Sequence, residues 1–294
     1  MTIYDIAKLA GVSKSTVSRV LNGETNVSTD ARLKVEKVIR ENNYTPNRSA
    51  SMTKKNRQVI LVLATRLDSY SETRLIRGMM EHANEEVEFL ITETQFSIDK
   101  TKQIISSNKN VSAIIIFAIS GQDYDFIEQT LMPVVIIGQK ITTSKHNVYF
   151  NDYDSMNQLV AMNKSEKALF IGYDATDKTM VTRYQAATDA LGYNVDRIET
   201  DVYNEVPDLS NVRLSDYDVF ISTTDYQALN VYKHLITQQH SNYKILSSGN
   251  NLHINFVIDN LQTISFHYKQ VGKYVIEHLN DKAAFSYVPP YTIK

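Results

Sequence analysis

Apolar residues recur at helical spacing from the third residue onward. Ile3, Ile6, Ala7 and Ala10 share one face, with Thr2 placed to cap it. Gly11 interrupts the pattern, as a left-handed turn position requires. Ser13 can cap a second helix over 14–22, whose inner face is Val17, Val20 and Leu21. After the polar turn NGETNVS, Ser28 or Thr29 can open a third helix with the stripe Ala31, Val35 and Val38, ending near Asn43. The stretch YTPNRSASMTKKNR (44–57) has neither period nor apolar face and reads as a linker.

From Val59 the rhythm changes. Continuous apolar runs at 59–64, 87–92, 112–119 and 133–138 are followed by a second series at 167–173, 217–223, 244–249 and 255–259. Helical stretches lie between many of them, such as 71–85, 98–107, 183–191 and 226–237. Buried strands alternating with helices predict parallel sheets covered on both faces. Two such series, split near residue 160, predict two doubly wound lobes with a cleft between them. The expected organisation is an all-α helix-turn-helix headpiece at 1–46, a hinge at 47–57 and an α/β core at 58–294. Within the core, one lobe covers about 58–155 and the other about 160–262, with chain crossovers in 263–294.

Charge sharpens this division. The chain of 294 residues carries a net −2, yet residues 1–57 hold eleven Lys and Arg against five acids. The head is therefore +6 and the remaining 237 residues are −8. A basic head on an acidic body points to a polyanionic partner for the head alone. No apolar run approaches the roughly 20 residues a membrane span needs, and the first residues lack a secretory layout. The expected location is the cytoplasm. With no cysteine, disulfides and thiolate chemistry are excluded.

The two head helices joined at Gly11 match a helix-turn-helix, whose second helix enters the major groove. On its outer face Lys14 and Ser15 are candidates for base reading, while Thr16, Ser18, Arg19 and Asn22 suit phosphates and register. The body shows no GxGxxG, GxxxxGK[ST], GxSxG or HExxH, and its histidines form no ligand cluster, so no enzyme, metal or cofactor is expected. Open parallel sheets bind ligands beyond their strand ends. That rule selects Thr65, Arg66, Leu67, Asp68 and Ser69 after the first strand, with Glu72 just beyond them, Thr94, Gln95, Phe96 and Ser97 after the second, Phe117 to Ser120 at the third, and Gln139 and Lys140 after the fourth. From the second lobe it adds Arg183, Asp225, Asn250 and the crossover residue Phe266. Such amides, charges and aromatic rings suit a polyhydroxylated sugar.

The stretches TIYDIAKLAGVSKSTVSRVLNG and VSTDARLKVEKVIRENNYTPN resemble the headpiece of the LacI/GalR family of bacterial repressors. Arg183, the TTD of 223–225, SSGNN at 247–251 and TISFHYKQVG at 263–272 extend the likeness to a periplasmic-binding-protein-like core. The resemblance implies a homodimer on a pseudo-palindromic operator and a hinge that inserts an apolar wedge in the minor groove. Asn47 and Met52 are then the linker's DNA contacts, although Thr53 stands where the family usually has leucine. It also carries sugar or nucleobase contacts to Arg183, Asp225, Asn250 and Phe266. ATRLDSYSE (64–72) with TQFS (94–97) resembles family members that respond to trehalose 6-phosphate, with Arg66 as the phosphate fork. Those members have a second arginine where this chain has Gln139, followed by Lys140. Two other readings remain: a regulator of different ligand or coupling sign, and the solute-binding component of a transporter.

Overall fold

The computed structural model describes residues 3–21, 26–42, 57–173, 177–201, 206–249, 254 and 257–294. The chain divides into two compact units, Met1–Arg57 and Gln58–Lys294.

In the first unit, α1 (Ile3–Ala10), α2 (Lys14–Leu21) and α3 (Thr29–Glu41) enclose a small core. Ile6, Ala7, Ala10, Val17, Val20, Val35 and Val38 fill it, each on the face its spacing assigns, while Ala31 is half-buried. Gly11 adopts φ +63°, which lets the chain turn between α1 and α2 at no steric cost. The Ser13 hydroxyl accepts the Thr16 N–H and the Ser28 hydroxyl accepts that of Ala31. Both helices thus satisfy an otherwise orphaned N-terminal donor.

The second unit holds two six-stranded sheets. In the first, the order is β11-β5-β4-β3-β1-β2, built from β1 (Gln58–Ala64), β2 (Val87–Glu93), β3 (Ala113–Phe117), β4 (Val134–Gly138), β5 (His146–Tyr149) and β11 (Phe285–Tyr287). All its pairings are parallel. Alternate residues of β1 serve opposite layers. Ile60, Val62 and Ala64 meet α4 (Tyr70–His82) and α9 (Tyr268–His278), while Leu61 and Leu63 meet the layer containing α5 (Ile98–Ser107). This two-sided burial is why the strand reads as an unbroken apolar run.

The second sheet repeats the design in the order β12-β10-β9-β8-β6-β7. Its strands are β6 (Ala168–Tyr173), β7 (Asp196–Thr200), β8 (Val219–Ser222), β9 (Lys244–Ser247), β10 (Leu261–Ser265) and the antiparallel β12 (Thr292–Ile293). The helices α6 (Asp152–Ala161) and α7 (Lys178–Leu191) cover one face, and α8 (Asp225–Thr237) covers the other. The expected strand at 255–259 is corrected. Residues 257–260 form a turn that drops Ile258 into the core, and the strand follows at 261–265. Burial of one isoleucine from a turn mimics a strand in sequence.

The chain passes between the lobes three times, after β5, after β10 and after β11. Each crossing contributes an aromatic ring to one cluster. Phe150 lies 4.9 Å from Phe266, and Phe266 lies 6.0 Å from Tyr291. The lobes are therefore joined through a packed aromatic hinge rather than a slack tether.

Candidate functional site

Each lobe has the strand order that reverses beside its first strand, between β1 and β3 and between β6 and β8. Ligands bind beyond the carboxyl ends of strands at such reversals. A cavity of about 630 Å³ opens there, lined from both lobes. Its first-lobe wall is the turn after β1 and the start of α4, where the Ser69 hydroxyl caps the helix by accepting the Glu72 N–H.

Arg66 stands in that turn with its guanidinium engaged. Nε donates to one Asp68 carboxylate oxygen at 2.7 Å and Nη2 to the other at 2.9 Å. The hydrogen bond from Arg66 holds the Asp68 carboxyl below its usual range. Glu72 is more deeply placed. Burial pushes its carboxyl up to about 7, against the backbone N–H and hydroxyl of Thr65, which both donate to it.

The second-lobe wall is cross-linked by charged and hydroxyl groups. Arg183 on α7 donates through Nε and Nη2 to Asp152 at 2.8 and 2.5 Å, and through Nη1 to the Ser248 hydroxyl at 2.9 Å. Asp225 opens α8 and accepts the Ser247 hydroxyl at 2.7 Å. Gly249 makes this possible: a Cβ there would lie 1.9 Å from the Asp225 carboxyl carbon.

Of the effector candidates, Arg66, Asp68, Ser69, Glu72, Arg183 and Asp225 are brought together around this cavity. Gln139 and Lys140 instead line a second interlobe cavity of about 290 Å³, with Asp152 and Lys178. Gln139 is already committed, donating to the Ile119 carbonyl and accepting from the Gly121 N–H. Gln95 is exposed and accepts from Lys100, so its neighbour Phe96 lines the cavity in its place. Phe117 is buried in the first-lobe core, because the last residue of β3 points into the helix layer. Phe266 is likewise buried, in the hinge cluster, and Tyr268 is the crossover aromatic that reaches the cavity. Asn250 lies outside the described residues.

The sequence reading names Phe96 after the second strand but misses four further aromatic rings at the cavity: Tyr70, Tyr173, Tyr226 and Tyr268. Each adjoins a stretch that was singled out, so proximity to strand ends was the available signal. Gln95 and Phe96 also occupy left-handed backbone, at φ 56° and 55°. Two successive non-glycine residues there store strain beside this cavity.

On the head, Lys14, Ser15 and Arg19 are exposed along α2, Thr16 and Ser18 are half-buried, and Val17 and Val20 face the core. Lys14 donates from Nζ to the Tyr4 hydroxyl at 2.7 Å and lies over that ring. Tyr4, 64% exposed on α1, is therefore part of the same outer surface and was not anticipated. Asn22, Asn47 and Met52 lie outside the described residues. Among the described residues there is no His, Asp and Glu cluster able to hold a metal ion, and no helix is long and apolar enough to cross a membrane.

A helix-turn-helix unit followed by two parallel-sheet lobes facing a cleft defines a class of bacterial transcription regulators, and the comparisons agree. Residues 2–47 match the family model of bacterial regulatory proteins, lacI family. The chain therefore carries a lacI-family helix-turn-helix domain at its N-terminus. It is 26% identical to the HTH-type transcriptional regulator TreR of Salmonella typhimurium, over 96% of this chain and 95% of that one. The sucrose operon repressor of Staphylococcus xylosus is also 26% identical, over 95% and 92%. Among solved structures, the trehalose repressor from Escherichia coli superposes with a TM-score of 0.70 at 17% identity, over 81% of this chain and 99% of that one.

Proposed function

We propose that this protein is a homodimeric transcriptional repressor that leaves its operator when a sugar phosphate, trehalose 6-phosphate, binds between its lobes. The observation that carries the reading is the Arg66 turn at the N-terminus of α4, opening on a cavity of about 630 Å³. Arginine offers a planar fork that matches phosphate bidentately, and a helix N-terminus favours negative charge. A volume of this order suits a ligand of disaccharide size. Opposite, Asp225, Arg183 and the tyrosines supply acceptors, donors and ring faces for sugar hydroxyls and apolar sugar faces. The names of the relatives favour a sugar operon, and both trehalose and sucrose occur among them.

In this reading two α2 helices enter adjacent major grooves, with Lys14 and Ser15 at base edges and Thr16, Ser18 and Arg19 at the backbone. Asn22, Asn47 and Met52 complete the DNA surface. The protein is a receptor without catalytic role, metal or cofactor. Gln139 contributes an amide and no charge, so the phosphate relies on the first-lobe fork, aided by Lys140 if the ligand extends into the second cavity.

Calorimetric titration with trehalose 6-phosphate, trehalose and sucrose 6-phosphate tests the effector. Saturable binding of trehalose 6-phosphate alone, near one per chain, and its loss in Arg66→Ala is the expected outcome. Tighter binding of another of these sugars would keep the repressor and replace its effector. On the DNA side, an operator recovered from a random duplex pool should bind Arg19→Ala at least about tenfold more weakly, as lost phosphate contacts dictate.

A further inference from the structure

The arginine fork at the cavity mouth is filled by a side chain of the protein itself. Asp68 presents its two oxygens to Nε and Nη2 of Arg66 in the side-by-side arrangement a phosphate would use. The two partners differ in setting. The Arg66 side chain is 16% exposed and held in the wall, whereas Asp68 is 72% exposed.

The other carboxylates of the cleft are fixed. Glu72 is tied to the Thr65 backbone, Asp225 is wedged against Gly249, and Asp152 is buried beneath Arg183. Among these four, Asp68 is the one that can swing into water without exposing a core, and the Arg66 donors it vacates are those an incoming anion would take up. It also sits on a short turn between β1 and α4, where a side-chain rotation disturbs no ladder.

We propose that Asp68 is an internal competitor: its carboxylate occupies the Arg66 fork, a ligand phosphate displaces it, and this exchange selects dianionic ligands. The inference rests on the reading of the cleft as a sugar-phosphate site. Exchange of one bidentate anion for another conserves the hydrogen bonds. What favours the incoming phosphate is its second charge beside the α4 N-terminus. A neutral sugar brings no anion, so it leaves the Arg66–Asp68 pair closed and draws nothing from the arginine. A monoanion gains less than a phosphate for the same displacement. Asp68 thus differs from a ligand contact, since removing it should tighten binding.

The test compares the full-length protein with Asp68→Asn and with Arg66→Gln/Asp68→Asn, using trehalose 6-phosphate, inorganic phosphate and trehalose as ligands. Calorimetry reads the sugars, and phosphorus NMR line broadening reads inorganic phosphate. Asp68→Asn should bind both phosphates about tenfold more tightly, the size of a lost competing charge at a partly desolvated site. Trehalose should change less than about twofold, and the double variant should lose the gain. Equal or weaker phosphate binding by Asp68→Asn would overturn the proposal and make Asp68 a support that orients Arg66. Absence of any phosphate binding to either protein would overturn it as well. If inorganic phosphate binds Asp68→Asn more tightly while trehalose 6-phosphate binds neither, the competitor stands and the trehalose reading falls.

Discussion

Glu72 occupies position N3 of α4, where a glutamate ordinarily reaches back to the helix cap. Here it reaches further, to Thr65, and is drawn into the wall of the cavity. Burial raises its pKa from 4.5 to about 7, and the Thr65 donors and the Arg66 charge offset only part of that. The native state therefore binds this proton more tightly than the unfolded chain does. The stability it confers is full below pH 4.5 and is lost as pH rises through 7. Between pH 5 and pH 8 the loss amounts to about 2 kcal/mol. Glu72→Gln, which is neutral throughout, should flatten this slope. Urea unfolding at the two pH values should show the variant gaining on wild type at pH 8. A slope equal to that of wild type would place the titration elsewhere.

At the scale of elements, the contact that positions the first-lobe wall is the crossing of α4 and α9. Two glycines let the backbones touch. A Cβ on Gly272 would lie 2.1 Å from the Leu75 carbonyl oxygen, and one on Gly78 would lie 2.2 Å from that of Lys269. Backbone cannot yield as a side-chain tip can. Gly272→Ala should therefore destabilise the protein by about 2–3 kcal/mol, read as a lower urea midpoint, in spite of alanine's better helix propensity. An unchanged midpoint would mean that the helices separate freely. Because α9 is thus bound to the first lobe, it carries Tyr268 into the cavity from that side. The sequence disclosed β1, β3, β4 and β6 because burial on both faces leaves a continuous apolar run. It concealed β5, HNVY, where buried Asn147 accepts the Ile141 N–H and donates to the Ser144 carbonyl, so polar letters fill an interior strand. The cavity's charged residues were legible as groups following strand ends. Tyr268 was not distinguished from Phe266, because the choice turns on His267, a non-glycine residue at φ 52° that redirects the chain. Nothing in the local pattern announces a left-handed histidine.

For the whole molecule, the helix proposed to read DNA and the cavity proposed to take the effector belong to different compact units, Met1–Arg57 and Gln58–Lys294. Any influence of sugar on DNA is therefore a coupling free energy between separate sites, and such coupling is reciprocal. If saturating trehalose 6-phosphate weakens the dimer's operator affinity by some factor, operator must weaken the binding of the two sugar phosphates by that factor in all, which is its square root at each of two equivalent sites. Factors of about 5 to 150 are typical. Two titrations on full-length protein check this: operator binding with and without sugar phosphate, and sugar-phosphate binding with and without operator. Substitutions at either end should separate the parts of the cycle. Arg66→Ala should abolish the sugar limb and leave operator affinity unchanged. Arg19→Ala should weaken the operator limb while sugar-phosphate affinity without DNA stays at its wild-type value. Enhancement in both directions would preserve the coupling and reverse its sign, making the ligand a corepressor. Factors that break this relation would show that the sugar also acts from a further site, because the linked set of sites has one total coupling energy.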